Sequence, residues 1–148
     1  LLHDFAKERE FTFSGLGMVT DYSLSGQLIG HLVMGAMIVR DAAKELGTPE
    51  ETALLLEHML ISHHGIPEYG CAVRPMLLEA EILSMLDNLD ATVNQITTSL
   101  DSVEPGGFGQ KLWSLDQRKF YRPGFYSPEN LSAAVIRPGA EKDDTEGM

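Results

Sequence analysis

His3 and Asp4 stand side by side near the start of the chain, and His31, the adjacent pair His63 and His64, and Asp87 follow at wide intervals. Imidazole nitrogens and carboxylate oxygens are ligands that hard and borderline divalent cations accept. A site assembled from His3, Asp4, His31, His63 or His64, and Asp87 would suit zinc, manganese, iron or cobalt better than calcium, which prefers an all-oxygen cage. Asp4, with two oxygens, could bridge two ions. Two ions about 3.5–4 Å apart orient an attacking water, lower its pKa and neutralise charge developing on a phosphoryl oxygen. The chemistry such a set would perform is phosphoester hydrolysis.

Each residue alone has a plainer explanation. Five histidines in 148 residues is an ordinary number, so only their placement carries information. A single helical histidine is more often a satisfied core or surface residue than a ligand, and a His-Asp dipeptide arises often by chance. The combination is what shifts the balance.

The elements that must position these residues are helices. Leu1-Leu2-His3-Asp4 reads as the last turn of a helix that begins upstream, so a targeting signal cannot be judged from this start. Residues 8–27 mix Phe, Thr and Ser with Gly15, Gly17 and Gly26, which predicts a loop with room for one short hairpin. From Leu28 to Leu46 the spacing predicts a helix with two apolar stripes, one of Ile29, Leu32, Val33, Ala36 and Met37, the other of His31, Met34, Gly35 and Ile38. Such a helix is expected to be buried on most of its circumference. Gly47 suits its end, and Thr48-Pro49-Glu50-Glu51 predicts a new start, with Thr48 as the cap and Glu51 closing a capping box. Leu56, Met59, Leu60 and His63 then share an inward face that delivers His63 to the helix end.

Gly65, Pro67, Gly70 and Pro75 make residues 65–75 a loop, and a long helix resumes near Pro75. On it Met76, Ala80, Leu83, Asp87, Asp90 and Asn94 fall on one stripe, so two carboxylates continue a face that begins as core. A carboxylate there needs a partner. Glu104-Pro105-Gly106-Gly107 breaks the helix, and Gln110 to Asp116 is read as a further short one. Met34, Met37, Met59, Met76 and Met85 are expected in the core.

With 148 residues, 43% of them hydrophobic, the chain can form one core without a staple. Residues 1–126 are read as one domain and residues 127–148, poor in core residues, as a flexible tail. The single cysteine, Cys71, rules out an intrachain disulfide and fits a reducing cytoplasm. No apolar run reaches the roughly 18 residues of a membrane span. Eleven basic against 22 acidic residues give a net charge of −11, which repels a polyphosphate backbone unless positive charge is concentrated locally or supplied by bound metal, and so disfavours nonspecific nucleic-acid binding by this segment alone. Arg74, Arg118, Lys119 and Arg122 could still contact phosphate, with Tyr69, Phe120 or Tyr121 stacking on a base; a packed C-terminal segment explains them equally well.

His3-Asp4 with Lys7, then His31, His63-His64 and Asp87, follow the order of the HD phosphohydrolase superfamily, and the sequence resembles its HD domain. More specifically, Gly30-His31, His63-His64-Gly65 with Pro67-Glu68-Tyr69-Gly70, Glu79-Ala80, Asp87-Asn88-Leu89-Asp90-Ala91 and Arg118-Lys119-Phe120-Tyr121 look like the YhaM-type 3′-to-5′ exoribonucleases. The resemblance implies an all-α fold, an HD-domain helical bundle with irregular loops. It implies metal binding by His3, Asp4, His31, His63 and Asp87, and catalytic roles for Asp4, Lys7, His64 and Asp90. Lys7 would sit near the scissile phosphate, and His64 would meet substrate, a further ion or another ligand. Asp90, one turn beyond Asp87, could be ligand, general base or support, and support is favoured.

The implied cofactors are divalent ions, manganese, iron, cobalt, zinc or magnesium, and the implied substrate is single-stranded RNA cut to nucleoside monophosphates. Relatives of this kind also carry a metal-binding histidine on a preceding helix and an oligonucleotide-binding domain before that, both outside this chain. Oligomer formation is left open. Ala6 stands where the motif often has glycine and Cys71 where serine is common, and neither removes a ligand. Two other readings keep the resemblance: hydrolysis of a nucleotide or small phosphate ester, and a catalytically degenerate nucleotide-sensing module.

Overall fold

The computed structural model describes residues 2–125, and among them contacts define two compact units that divide between Ala91 and Thr92. The first unit is mostly helical and carries every clustered histidine. At its opening His3 and Asp4 lie in turns, with Phe5 N–H donating to Leu2 O at 3.2 Å and Lys7 N–H to Asp4 O at 2.9 Å. These lead into a single helical turn, α1 (Lys7–Glu10).

The glycine-punctuated stretch forms the hairpin it had room for: β1 (Phe11–Phe13) pairs antiparallel with β2 (Val19–Tyr22). Phe11 and Tyr22 face each other with ring centroids 4.8 Å apart, the kind of cross-strand aromatic pair that stabilises a short ribbon. Helix α2 (Leu24–Leu46) starts four residues earlier than its apolar pattern suggested, because the Ser23 hydroxyl accepts from Gly26 N–H at 2.9 Å and caps it. Inside it Gly30 takes φ 76°, ψ 158°, a conformation that interrupts the ladder and restarts the helix at His31.

Thr48 does not cap the next helix. Its N–H donates to Ala43 O at 2.9 Å and so closes α2, whose end at Gly47 matches the sequence reading. Helix α3 (Glu50–Ser62) is preceded by Pro49 with no side-chain cap, and relies on Glu50 and Glu51 against its N-terminal dipole. Arg40 ties α2 to α3 by donating to Glu50 at 2.6 Å and to Glu57 at 2.8 Å.

Only one of the two α2 stripes is core. His31, Met34 and Gly35 are buried together with Leu32, whereas Ile29, Val33 and Met37 are exposed, Met37 by 55%. Helix α2 packs on α3 and α1, and among the described residues no further helix pairs closely with it to cover the other side. The same correction applies to Met76 and Met85, 72% and 64% exposed. On α3 the inward face runs through Ala53, Leu60 and His63, with Leu56 at its edge.

The loop after α3 contains a 3-10 turn, Pro67–Tyr69, and helix α4 (Leu78–Asp101) follows with Ala80 fully buried and Asp87 against His3.

In the second unit the segment read as a short helix from Gln110 to Asp116 is only a 3-10 turn, Trp113–Leu115. Bridges Phe108 to Tyr121 and Leu112 to Arg118 engage its flanks in antiparallel pairing, and left-handed Asp116 and Gln117 reverse the chain between them. Arg122 donates to the carbonyls of Leu100, Asp101 and Val103 at 3.1, 3.3 and 2.7 Å, satisfying acceptors at the end of α4. The expected flexible tail, residues 127–148, lies outside the described residues. Among the described residues no helix is long and apolar enough to cross a membrane.

Candidate metal centre

Three imidazoles are oriented the same way by three different acceptors. At the end of α3, His63 Nδ1–H donates to Leu60 O at 2.7 Å. His64 Nδ1–H donates to Tyr69 O, in the 3-10 turn, at 2.8 Å. His31, at the restart of α2, places Nδ1 at 3.0 Å from Glu10 Oε1 and 2.9 Å from Oε2. These partners assign the proton of each ring to Nδ1 and leave Nε2 with its lone pair free.

Asp4 lies where those lone pairs point. Its Oδ1 is 3.3 Å from His31 Nε2 and 3.5 Å from His63 Nε2. Its Oδ2 accepts from Lys7 Nζ at 2.6 Å and lies 3.4 Å from His3 Nε2. His3 Nε2 is in turn 3.2 Å from Asp87 Oδ1 on α4. Ring centroids of His63 lie 4.5 Å from His64, 4.8 Å from His3 and 5.8 Å from His31.

Two donor groups result, Asp4 with His31, His63 and His64, and His3 with His63 and Asp87; within each, the donor atoms lie within 4.8 Å of one another. His63 is common to both, but its Nε2 has one lone pair and can serve one ion. Asp4 has two oxygens, and each faces one group, so it is the residue able to bridge.

The residues fit a divalent cation on physical grounds. Asp4 Oδ1, His31 Nε2 and His63 Nε2 are buried and have no hydrogen-bond partner. Burying an unpaired acceptor costs on the order of 1–3 kcal/mol, and here acceptors face acceptors with no donor between them. A cation satisfies all of them at once, and the nitrogen-rich set favours a transition metal or zinc over calcium. Burial lowers the His63 pKa from 6.5 to about 4, against the raising effect of its bond to Leu60, so this ring stays neutral and able to ligate near pH 7. Burial alone would raise the Asp4 carboxyl, but the Lys7 hydrogen bond and charge, with His3 and His31, outweigh it and hold Asp4 below its ordinary value.

Six of the residues singled out in the sequence, His3, Asp4, His31, His63, His64 and Asp87, therefore come together. Lys7 sits beside them, half-exposed, on Asp4. Asp90 does not join them: it is exposed, one turn further along α4, and outside both donor groups. Glu10 is the residue that sequence reasoning missed. It is buried against His31, yet its run Lys7-Glu8-Arg9-Glu10 reads as a solvated charged turn, and no local signal marks the one member that points inward. The remaining histidine, His58, accepts from Met76 N–H at 2.9 Å and secures the loop before α4.

Comparison with known proteins covers the part of the chain that carries these residues. A family model described as the HD domain matches residues 1–92. The 3'-5' exoribonuclease YhaM of Shouchella clausii is 40% identical over 126 residues, 85% of this chain and 39% of that protein. The protein of the same name from Bacillus licheniformis is 41% identical over 127 residues, and that from Bacillus subtilis 39% over 127, each again covering 85% of this chain and 39% of the relative. The chain thus spans about two fifths of the length of these relatives. No solved structure matches it.

Proposed function

Because the chain belongs to the HD domain family, we propose that it is the hydrolytic part of a metal-dependent 3′-to-5′ exoribonuclease that acts on single-stranded RNA and releases nucleoside monophosphates. The observation that carries this reading is the set of buried, unpartnered acceptors, Asp4 Oδ1, His31 Nε2 and His63 Nε2, on three of the residues that the sequence resemblance implies as ligands. The name shared by relatives at 36–41% identity supports the substrate.

Asp4 Oδ1, His31, His63 and His64 would hold one ion, and Asp4 Oδ2, His3 and Asp87 a second, drawn from manganese, iron, cobalt, zinc or magnesium. When bound, such ions supply Lewis acidity and activate water for attack on a phosphodiester. The chain's own residues prepare the site. Asp4 remains ionised and can bridge. Lys7, anchored on Asp4 at 2.6 Å and partly exposed, offers its ammonium to the phosphate whose charge grows during attack. His64, more open than His63, would meet the substrate. Asp90, from its exposed position, would support substrate or water rather than ligate. An oligonucleotide-binding domain elsewhere in the whole protein would supply the grip on RNA that a chain of net charge −11 lacks. A cytoplasmic setting, where the single thiol stays reduced, completes the proposal.

The test is to follow 5′-labelled single-stranded RNA with the purified protein and manganese, in parallel with free nucleotides. Stepwise shortening from the 3′ end with release of monophosphates, abolished by chelation, is expected. Hydrolysis of free nucleotides alone would reject the exonuclease reading. One observation favours that second reading, a nucleotide or small phosphate ester as substrate: the acidic charge repels a polyanion more strongly than a single phosphate.

A further inference from the structure

We infer that Glu10 is a positioning residue of the metal centre, a buried carboxylate that sets both the ring orientation and the tautomer of His31; the inference rests on the reading of His31 as a ligand. Glu10 is only 6% exposed, although it belongs to a charged run on a one-turn helix. A buried carboxylate must find donors, and both that it finds come from one residue. Glu10 Oε1 accepts from the His31 backbone N–H at 3.0 Å, and its two oxygens flank His31 Nδ1 at 3.0 and 2.9 Å.

The backbone contact explains why Glu10 is there. Gly30 breaks α2, so His31 N–H opens a new helical segment without the intrahelical acceptor it would otherwise use. Glu10 replaces that acceptor and places negative charge at the positive end of the segment. One side chain therefore fixes where the His31 backbone begins and which ring nitrogen bears the proton. With Nδ1 occupied, Nε2 is left pointing at Asp4 Oδ1, 3.3 Å away.

The chain also holds Glu10 from behind. Ser23 N–H donates to Glu10 O at 2.8 Å and the Ser23 hydroxyl to Arg9 O at 2.6 Å, which docks α1 on the first turn of α2. Gly26 permits that approach, since a Cβ there would fall on the Glu10 carbonyl oxygen and 2.8 Å from its carbon. A carboxylate on the far nitrogen of a ligating imidazole fixes the ring and raises its basicity, and losing such a partner typically weakens metal affinity about 10–100-fold.

The experiment compares the purified protein with Glu10→Ala and Glu10→Gln, using long-range proton–nitrogen NMR of the metal-free form at slightly alkaline pH and zinc affinity by chelator competition. In the parent His31 is expected to carry its proton on Nδ1. Glu10→Ala, with helical circular dichroism retained, should give mixed His31 tautomers and zinc affinity about 10–100-fold weaker. Glu10→Gln, which keeps one acceptor oxygen but not the charge, should preserve the tautomer and weaken zinc less. A lower melting temperature in Glu10→Ala with tautomer and zinc affinity unchanged would overturn the inference and leave Glu10 a helix cap. Should Glu10→Ala not fold, Glu10→Gln decides: weaker zinc binding supports the positioning role, and parental affinity overturns it. If the parent itself binds no zinc or other divalent ion, the metal-centre reading fails. The His31 tautomers of parent and variants then decide separately whether Glu10 holds the ring.

Discussion

His31 Nε2 and Asp4 Oδ1 face each other at 3.3 Å, both buried and both without a hydrogen-bond partner. The proton that could join them is held on the far side of the imidazole, where Glu10 engages Nδ1. Two lone pairs aimed at one another repel unless a positive charge lies between or beside them. His63 Nε2, 3.5 Å from the same oxygen, repeats the arrangement.

Asp4 is therefore the residue on which the centre depends most. Asp4→Asn keeps its shape but removes the charge that faces His3, His31, His63 and Lys7. Metal content by elemental mass spectrometry should fall below one ion per chain, and RNA hydrolysis should fall on the order of 10³-fold. Parental metal content together with parental activity would contradict the assignment.

Stability of the metal-free protein should depend on pH through His63. Burial holds this ring near 4 against its ordinary 6.5. Between those values the unfolded chain binds a proton here that the folded chain does not, so stability rises with pH across that window and is lost as pH falls. The full difference, reached below the folded value, is on the order of 3 kcal/mol. Asp4 acts further down with the same sign: its contribution is present above the ordinary aspartate value and disappears as pH drops through its lowered one. Urea denaturation at about pH 7.5 and pH 5 measures the effect, and His63→Gln should flatten it. Equal parental stability at both pH values would show that His63 is not held neutral by burial.

The cluster was legible in the sequence because its candidate ligands are rare, chemically distinctive residues: His3, Asp4, His31, His63, His64 and Asp87 all converge. What escaped were properties that depend on neighbours. Glu10 looks like any charged residue of a short turn, and its burial follows from Ser23 and Gly26 drawing α2 across it. Asp90 shares Asp87's stripe, but one further turn of helix carries it out to solvent. Periodicity gave α2 two apolar faces and could not say that only the one bearing His31 would be covered. Thr48 has the chemistry of a cap, yet its backbone is used to finish α2 before α3 begins.

Gly26→Ala tests the docking of α1 on α2. The added Cβ meets backbone rather than a movable side chain, so the two elements must separate. A loss of about 3 kcal/mol or more by chemical denaturation is expected, accompanied by weaker zinc binding because Glu10 is displaced from His31. A variant as stable as the parent would mean that this approach is not maintained in solution.

Arg122 separates packing from phosphate binding at the C-terminal aromatic motif. Its guanidinium is already committed to three carbonyls at and just beyond the end of α4. Arg122→Ala should destabilise the second unit by about 1–3 kcal/mol, visible as faster amide exchange around residues 99–103, and leave metal affinity unchanged. Unchanged exchange with weaker RNA binding would instead make it a phosphate contact.

Metal-specific anomalous diffraction from crystals grown with manganese or zinc addresses the central claim most directly. The expected result is a peak within about 2.0–2.3 Å of Asp4 Oδ1, His31 Nε2 and His63 Nε2. Fully occupied peaks only at other positions, or side chains of Asp4 and His31 turned away from one another around an ion-free pocket, would contradict it.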